Sequence, residues 1–110
     1  MNSNILRTLA LLFSNLAFLK RGIRGESVDD FRLKAAIGQR LQYYRRSAGF
    51  TQEELGFEVD LHRTYISLVE RGKSIPSIKT LFELCKVLDV EPGTFITEVS
   101  DLMKKRPRKR

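Results

Sequence analysis

Apolar residues recur at helical spacing through the middle of the chain, and no segment alternates convincingly as a β-strand would. The first stripe consists of Leu33, Ile37, Leu41 and Tyr44. Gly49 follows it, at the position where glycine commonly ends a helix. We therefore expect a helix over residues 30–49.

Residues 51–71 predict two short helices. Thr51 and Glu54 have the spacing of a capping box, which begins a helix running to about Glu58. A turn at residues 60–62 follows. The second helix should extend from about Arg63 to Arg71, and Gly72 should end it.

Two helices joined by so short a turn form a helix-turn-helix. Where such helices cross, the chain needs a small residue, and Gly56 provides it. Asp60 occupies the turn position that requires positive φ, a conformation aspartate adopts more readily than most residues. The side chains expected inside the angle are Leu55, Val59, Leu61, Ile66 and Val69.

Two further helices should complete the domain. The first begins near Pro76, and its inward residues should be Ile78, Leu81, Phe82, Cys85 and Leu88. Pro92 suits the first turn of the last helix. That helix carries Phe95, Ile96, Val99 and Leu102. Cys85 is the single cysteine, so an intramolecular disulfide is excluded, and its helical spacing favours burial as a small apolar residue.

Residues 4–21 form an amphipathic pattern with a wide apolar face, and residues 22–29 resemble a linker. The longest uncharged run, Thr8 to Leu19, has twelve residues, too few to span a bilayer. A dimerisation or core-capping helix is the favoured interpretation. A signal peptide, a membrane-surface helix and a segment outside the ordered mature chain remain open.

The 110 residues allow one domain with tails, and the formal net charge is +7. The basic residues concentrate at the ends: residues 1–28 carry four against one acidic residue, and residues 101–110 carry six against one. Residues 29–100 carry ten basic and eleven acidic residues. The basic tail is either an arm that follows DNA phosphates or a device for solubility.

If the apolar side of the second short helix is buried, its polar start must face outward. That surface carries His62, Arg63, Thr64, Ser67 and Leu68. Arginine can bridge guanine O6 and N7, and threonine can contact a thymine methyl group, so this helix start fits a major groove. Gln52, Arg71 and Lys73 are placed to reach phosphates.

Some residues of this segment also have a plainer interpretation. His62 would then serve only as a helix cap, and Arg71 would pair with Glu70 or another acidic neighbour. Tyr65 would pack against the first short helix or a phosphate and would not read a base.

In sequence, residues 33–98 resemble the Cro and phage-repressor type of helix-turn-helix regulators. The resemblance rests on the succession of TQEELG, ISLVERGK, PSIKTL and LDV. It implies a five-helix lambda-repressor-like domain that binds a palindromic operator as a homodimer and controls transcription. The segment LHRTYISLVERGK is most similar to the controller proteins of restriction–modification systems. By matching position, Gln52, Arg63, Thr64 and Ser67 would contact DNA, with Lys73 near the backbone.

The sequence therefore predicts an all-α protein: a helix-turn-helix domain at residues 29–100, an extra N-terminal amphipathic helix within residues 1–28, and a basic tail at 101–110. Its expected partner is double-stranded DNA in the cytoplasm, at the nucleoid. Competing hypotheses are a protein-interaction module, such as an antitoxin-like partner, and a membrane-associated regulator. One histidine, one cysteine and no metal-ligand spacing argue against an enzyme, a metal, a cofactor or a small-molecule ligand.

Overall fold

The computed structural model describes residues 5, 7–9 and 28–105, and within these ranges every regular element is a helix. The helices are α1 (Asp30–Ser47), α2 (Gln52–Glu58), α3 (Arg63–Glu70), α4 (Ile78–Val87) and α5 (Pro92–Lys104). The predicted all-α class is confirmed. Residues 5 and 7–9 are helical. The remainder of the predicted N-terminal helix, most of the predicted linker and residues 106–110 lie outside the described residues.

One apolar core joins the five helices. Helix α1 packs against α3 and α5, α2 packs against α3 and α4, and α4 also packs against α5. The core consists of Ala36, Ile37, Leu41, Leu55, Val59, Ile66, Val69, Leu81, Leu84, Cys85, Leu88, Phe95 and Val99. Burial raises the pKa of the Cys85 thiol to about 11, so Cys85 behaves as the predicted apolar residue.

Helices α1 to α4 all end in the same hydrogen-bonded arrangement, a Schellman motif, which requires one residue with positive φ. After α1 that residue is Gly49 and after α3 it is Gly72, as predicted. Asp60 and Asp89 occupy the same position after α2 and α4, each with φ of 56°. The Leu61 N–H donates to the Gly56 carbonyl at 2.7 Å, closing the turn between α2 and α3. The left-handed conformation expected at Asp60 is therefore confirmed.

The predicted inward face of α4 was wrong at two positions. Ile78 is 68% exposed and Phe82 55%, and on α5 Ile96 is 46% exposed. The buried stripe of α4 instead includes Leu84, and Phe82 lies about 100° around the helix from Leu81, at the edge of that stripe. Helix α1 ends at Ser47, two residues before the predicted end, and α5 continues four residues beyond residue 100.

None of the helices within the described residues is long and apolar enough to cross a membrane.

Candidate nucleic-acid interface

The start of α2 is fixed by the predicted capping box. The Glu54 N–H donates to Thr51 Oγ1 at 3.0 Å, and the Thr51 N–H donates to Glu54 Oε1 at 3.0 Å. The hydrogen bond from the Thr51 backbone lowers the pKa of Glu54. Gln52 thereby becomes the first residue of α2, at the end of the helix that carries partial positive charge.

Two glycines allow the helices around the interface to approach closely. A Cβ at Gly56 would overlap the Leu61 carbonyl oxygen, so the tight turn into α3 requires glycine there, as predicted. A Cβ at Gly38 in α1 would lie 2.5 Å from the Glu70 carbonyl oxygen, which requires glycine where α1 meets the end of α3. No sequence pattern predicted this second contact.

A buried polar network behind α3 is the main feature that the sequence analysis missed. Arg45, on α1, donates from Nε at 2.6 Å and Nη2 at 3.0 Å to the Glu70 carboxylate, and from Nη1 at 2.8 Å to the Phe50 carbonyl. Gln52 Nε2 donates to the same carboxylate at 3.1 Å. The Glu70 side chain is only 2% exposed. The hydrogen bond with Glu70 raises the pKa of Arg45, which stays charged.

This network connects α1, the segment before α2, the first turn of α2 and the last turn of α3. It therefore fixes the angle at which α3 stands relative to the rest of the domain. It also changes the interpretation of Gln52: one N–H of its amide is committed to Glu70, and only the other is left for a phosphate.

His62 caps the start of α3. Its Nδ1 accepts a hydrogen bond from the Thr64 N–H at 3.0 Å. Because Nδ1 is the acceptor, the neutral ring carries its proton on Nε2. The capping role of His62 is thus confirmed, and the residue is exposed, so the choice between a cap alone and an additional DNA contact through Nε2–H stays a prediction.

Arg63 and Thr64 lie exposed in the first turn of α3. Arg63 Nη1 lies 3.8 Å from Glu53 Oε2, and both side chains are largely in solvent. An exposed ion pair contributes little to the free energy of folding. Arg63 can therefore leave Glu53 and contact a base or a phosphate at little cost. The chain has no acidic residue from 62 to 69, and no sequence pattern predicted that α2 places Glu53 beside Arg63.

The outer side of α3 continues through Ser67 to Arg71. Arg71 Nε donates to Ser67 Oγ at 3.2 Å, so the predicted alternative, a pair with Glu70, was wrong because Arg45 and Gln52 occupy that carboxylate. Ser67 is half-buried and keeps its own O–H as a donor. Lys73, two residues beyond Arg71, is exposed. Tyr65 is half-buried against the core, in agreement with a packing role.

Most of the predicted site residues belong to α3 or flank its ends, and together with Gln52, at the start of α2, they are here called the α3 face. They are Gln52, His62, Arg63, Thr64, Ser67, Arg71 and Lys73. In the part of the chain that the structure describes, no cluster of three or more histidine, cysteine or carboxylate side chains could hold a metal ion.

Comparison with known proteins agrees with this geometry. The helix-turn-helix family model HTH_3 matches residues 41–95. The control protein C.BamHI of Bacillus amyloliquefaciens is 41% identical over 61 residues, which cover 54% of this chain and 75% of that protein. The regulator SinR of Bacillus subtilis is 36% identical over 63 residues, but the match spans only 57% of that regulator. The crystal structure of the restriction–modification controller protein C.AhdI from Aeromonas hydrophila superposes with a TM-score of 0.54 at 37% identity, covering 56% of this chain and 94% of that one.

The fold and the α3 face define a helix-turn-helix regulator. The chain belongs to the helix-turn-helix family HTH_3, whose model matches half of its residues. The predicted resemblance to Cro and phage-repressor type regulators, and with it the predicted class of DNA-binding transcriptional regulator, is confirmed.

Proposed function

We propose that this regulator recognises specific DNA sequences by placing the first turn of α3 in the major groove. The observation that supports the proposal is the arrangement around Glu70. One side of α3 is fixed by the buried Arg45–Glu70–Gln52 network, while the opposite side carries exposed hydrogen-bonding side chains and no acidic group of its own. A helix that is held rigidly on its buried side can present the polar side chains of its exposed side to base edges in a fixed orientation.

The side chains of the α3 face divide into two roles. Arg63 and Thr64 are exposed in the first turn of α3 and should contact base edges, with Ser67 one turn later. His62 Nε2–H, the free N–H of Gln52, Arg71 and Lys73 surround them and should hold phosphates. Lys73 carries its charge at the end of α3 and so adds affinity without choosing a sequence.

Binding as a homodimer to a palindromic operator follows from the size of this surface. A single α3 covers too few base pairs for specific binding at physiological salt. Helix-turn-helix proteins therefore usually bind as dimers, with one copy on each of two inverted half-sites. A regulator of this kind acts in the cytoplasm and needs no catalytic group or cofactor. Its resemblance to C.BamHI and C.AhdI favours the regulation of a restriction–modification locus.

Selection of bound duplexes from a random pool tests this function. We expect an inverted repeat whose half-sites are centred about one helical turn, or a multiple of it, apart. The Arg63→Ala variant should lose the preference at one position in each half-site. Recovery of unrelated sequences by the folded wild-type protein would contradict the proposal.

A further inference from the structure

We propose that Glu53 is a positioning residue for Arg63, whose guanidinium group it holds so that one edge faces a guanine in the major groove. The inference rests on the proposed function, because it adds to Arg63 a second residue that determines which base pair is accepted. Glu53 acts through Arg63 and contacts no base itself.

The two side chains meet where α2 and α3 come together. Glu53 is the second residue of α2, Arg63 is the first residue of α3, and Arg63 Nη1 lies 3.8 Å from Glu53 Oε2. Both residues line one open groove beside the turn, together with Phe57, Leu61 and His62. The turn between the helices therefore determines how far the carboxylate lies from the guanidinium group.

The Glu53 carboxylate is available for this contact, whereas two other carboxylates of the helix-turn-helix are engaged. Glu54 Oε1 accepts a hydrogen bond from the Thr51 N–H in the capping box. Glu70, the only acidic residue of α3, is buried and paired with Arg45. Glu53 therefore remains as an acceptor for Arg63.

The contact with Glu53 leaves the base-reading edge of Arg63 open. In a guanidinium group, Nε and Nη2 lie along one edge and can donate two parallel hydrogen bonds. Because Glu53 lies at Nη1, that edge can meet guanine O6 and N7 together. Arg63 can therefore bind a guanine without leaving Glu53.

Arg45 shows the same three-way use of an arginine within this domain. Its Nε and Nη2 donate to the Glu70 carboxylate at 2.6 and 3.0 Å, and its Nη1 donates to the Phe50 carbonyl at 2.8 Å. In the proposed complex, guanine corresponds to Glu70 as the group with two acceptors. The Glu53 carboxylate corresponds to the Phe50 carbonyl at Nη1.

The contact should become stronger when DNA binds. In the free protein, 67% of the Arg63 side chain and 77% of the Glu53 side chain are exposed, so water screens the pair. A duplex excludes part of that water, and an ion pair is stronger in a medium of lower dielectric constant. The carboxylate also repels the phosphates of any sequence. Glu53 should therefore lower the affinity for all DNA slightly while it increases the discrimination at one base pair.

Binding of the full chain to the selected operator, and to duplexes with each base pair replaced in turn, tests the proposal. Glu53→Ala should reduce discrimination roughly three- to tenfold at the base pair that Arg63→Ala identifies, and at no other. Glu53→Asp keeps the charge but is one methylene group shorter, so it should lose discrimination at the same position. Glu58→Ala, at the exposed glutamate that ends α2, is the matched control and should discriminate like the wild-type protein. Circular dichroism establishes that each variant is folded.

A double-mutant cycle separates this inference from the proposed function. In an Arg63→Ala background, Glu53→Ala should not change discrimination further, because the group that Glu53 positions is absent. An effect that persists in that background would show that Glu53 contacts a base itself, and the inference would be wrong.

The inference is also wrong if Glu53→Ala changes the affinity for every duplex equally, or if Glu53→Asp discriminates like the wild-type protein. In each of these cases Arg63→Ala still loses its base preference, so the proposed function stands. If Arg63→Ala instead keeps every base preference of the wild-type protein, the proposed function fails and the role of Glu53 fails with it.

Discussion

Arg45 and Glu70, 25 residues apart in the chain, form a two-pronged ion pair in the interior of the domain, with nitrogen to oxygen distances of 2.6 and 3.0 Å. Arg45 lies on α1 and Glu70 is the last residue of α3. The pair therefore connects α1, which contributes to the core, with α3, which carries the α3 face. Gln52 adds a third hydrogen bond to the carboxylate. The orientation of the α3 face depends on this contact.

Removing one partner of this pair should destabilise the fold severely. Arg45→Met leaves Glu70 charged and buried with only Gln52 as donor, and we expect a loss of about 3 kcal/mol in the free energy of unfolding. Arg46→Met, at the exposed neighbouring arginine, should change the stability by less than about 0.5 kcal/mol. Urea denaturation measures both.

The double variant Arg45→Met/Glu70→Leu distinguishes a buried charge from a lost contact. Because it removes both charges, it should recover most of the stability that Arg45→Met loses. A double variant as unstable as the single variant would show that the pair stabilises the fold by more than mutual neutralisation.

The left-handed turn at Asp60 makes the helix-turn-helix less stable than it could be. Asp60→Gly removes the steric cost of φ at 56° and should raise the free energy of unfolding by about 0.5–1 kcal/mol. Asp89→Gly has the same φ but lies outside the helix-turn-helix, so it should stabilise similarly. Thermal denaturation checks the pair. If Asp60→Gly destabilises while Asp89→Gly stabilises, the Asp60 carboxylate has a role in the turn beyond its backbone angle.

The hydrogen bond from Tyr44 to Glu98 should stabilise the fold at neutral pH, and this contribution should be lost at high pH. Its hydroxyl donates to the Glu98 carboxylate at 2.7 Å, and this hydrogen bond raises the pKa of Tyr44 from 10.0 to about 12. The folded protein therefore favours the protonated phenol. The contribution is complete below pH 10, where the unfolded chain also keeps the proton, and it is lost as the pH rises to about 12.

Tyr44→Phe should accordingly cost about 1 kcal/mol at pH 8, and the difference from the wild-type protein should shrink above pH 10. Tyr43→Phe is the matched control, since Tyr43 is exposed and on the same helix. Denaturation over this pH range measures the difference. A constant gap between Tyr44→Phe and wild type up to pH 12 would contradict the assignment.

His62 should have separable capping and DNA-binding roles. His62→Ala removes the acceptor for the Thr64 N–H and should cost about 1 kcal/mol of stability. His62→Asn restores a good cap, so stability should return, whereas DNA affinity should stay reduced because the shorter amide does not place its N–H where His62 carries Nε2–H. If His62→Asn restores both, His62 is a cap alone.

Local signals in the sequence were sufficient to predict most of the fold. The capping box at Thr51, the small residue Gly56 and the turn at Asp60 each depend on residues within a few positions of one another. The geometry of each feature follows from the conformational preferences of the backbone, and the structure shows the predicted geometry. The apolar stripes of α1 and α3 likewise fixed the buried side of each helix.

Contacts between distant segments were less predictable. Arg45 continues the stripe of Ile37 and Leu41 at every fourth position, a signal that an arginine there would be buried, but nothing local indicates that its partner is Glu70. The proximity of Glu53 to Arg63 depends on the angle between α2 and α3. Ile78 and Phe82 have apolar side chains at near-core spacing, and only the packing of α4 shows that they face outward.

The most direct test of the account compares Arg63→Ala and Lys73→Ala on the selected operator and on duplexes with each base pair replaced in turn. Arg63→Ala should lose about 1–3 kcal/mol of discrimination at one position of each half-site, and Lys73→Ala should weaken binding to all sequences about equally. If both variants lose the same affinity on every sequence, the first turn of α3 does not read bases and the account is wrong.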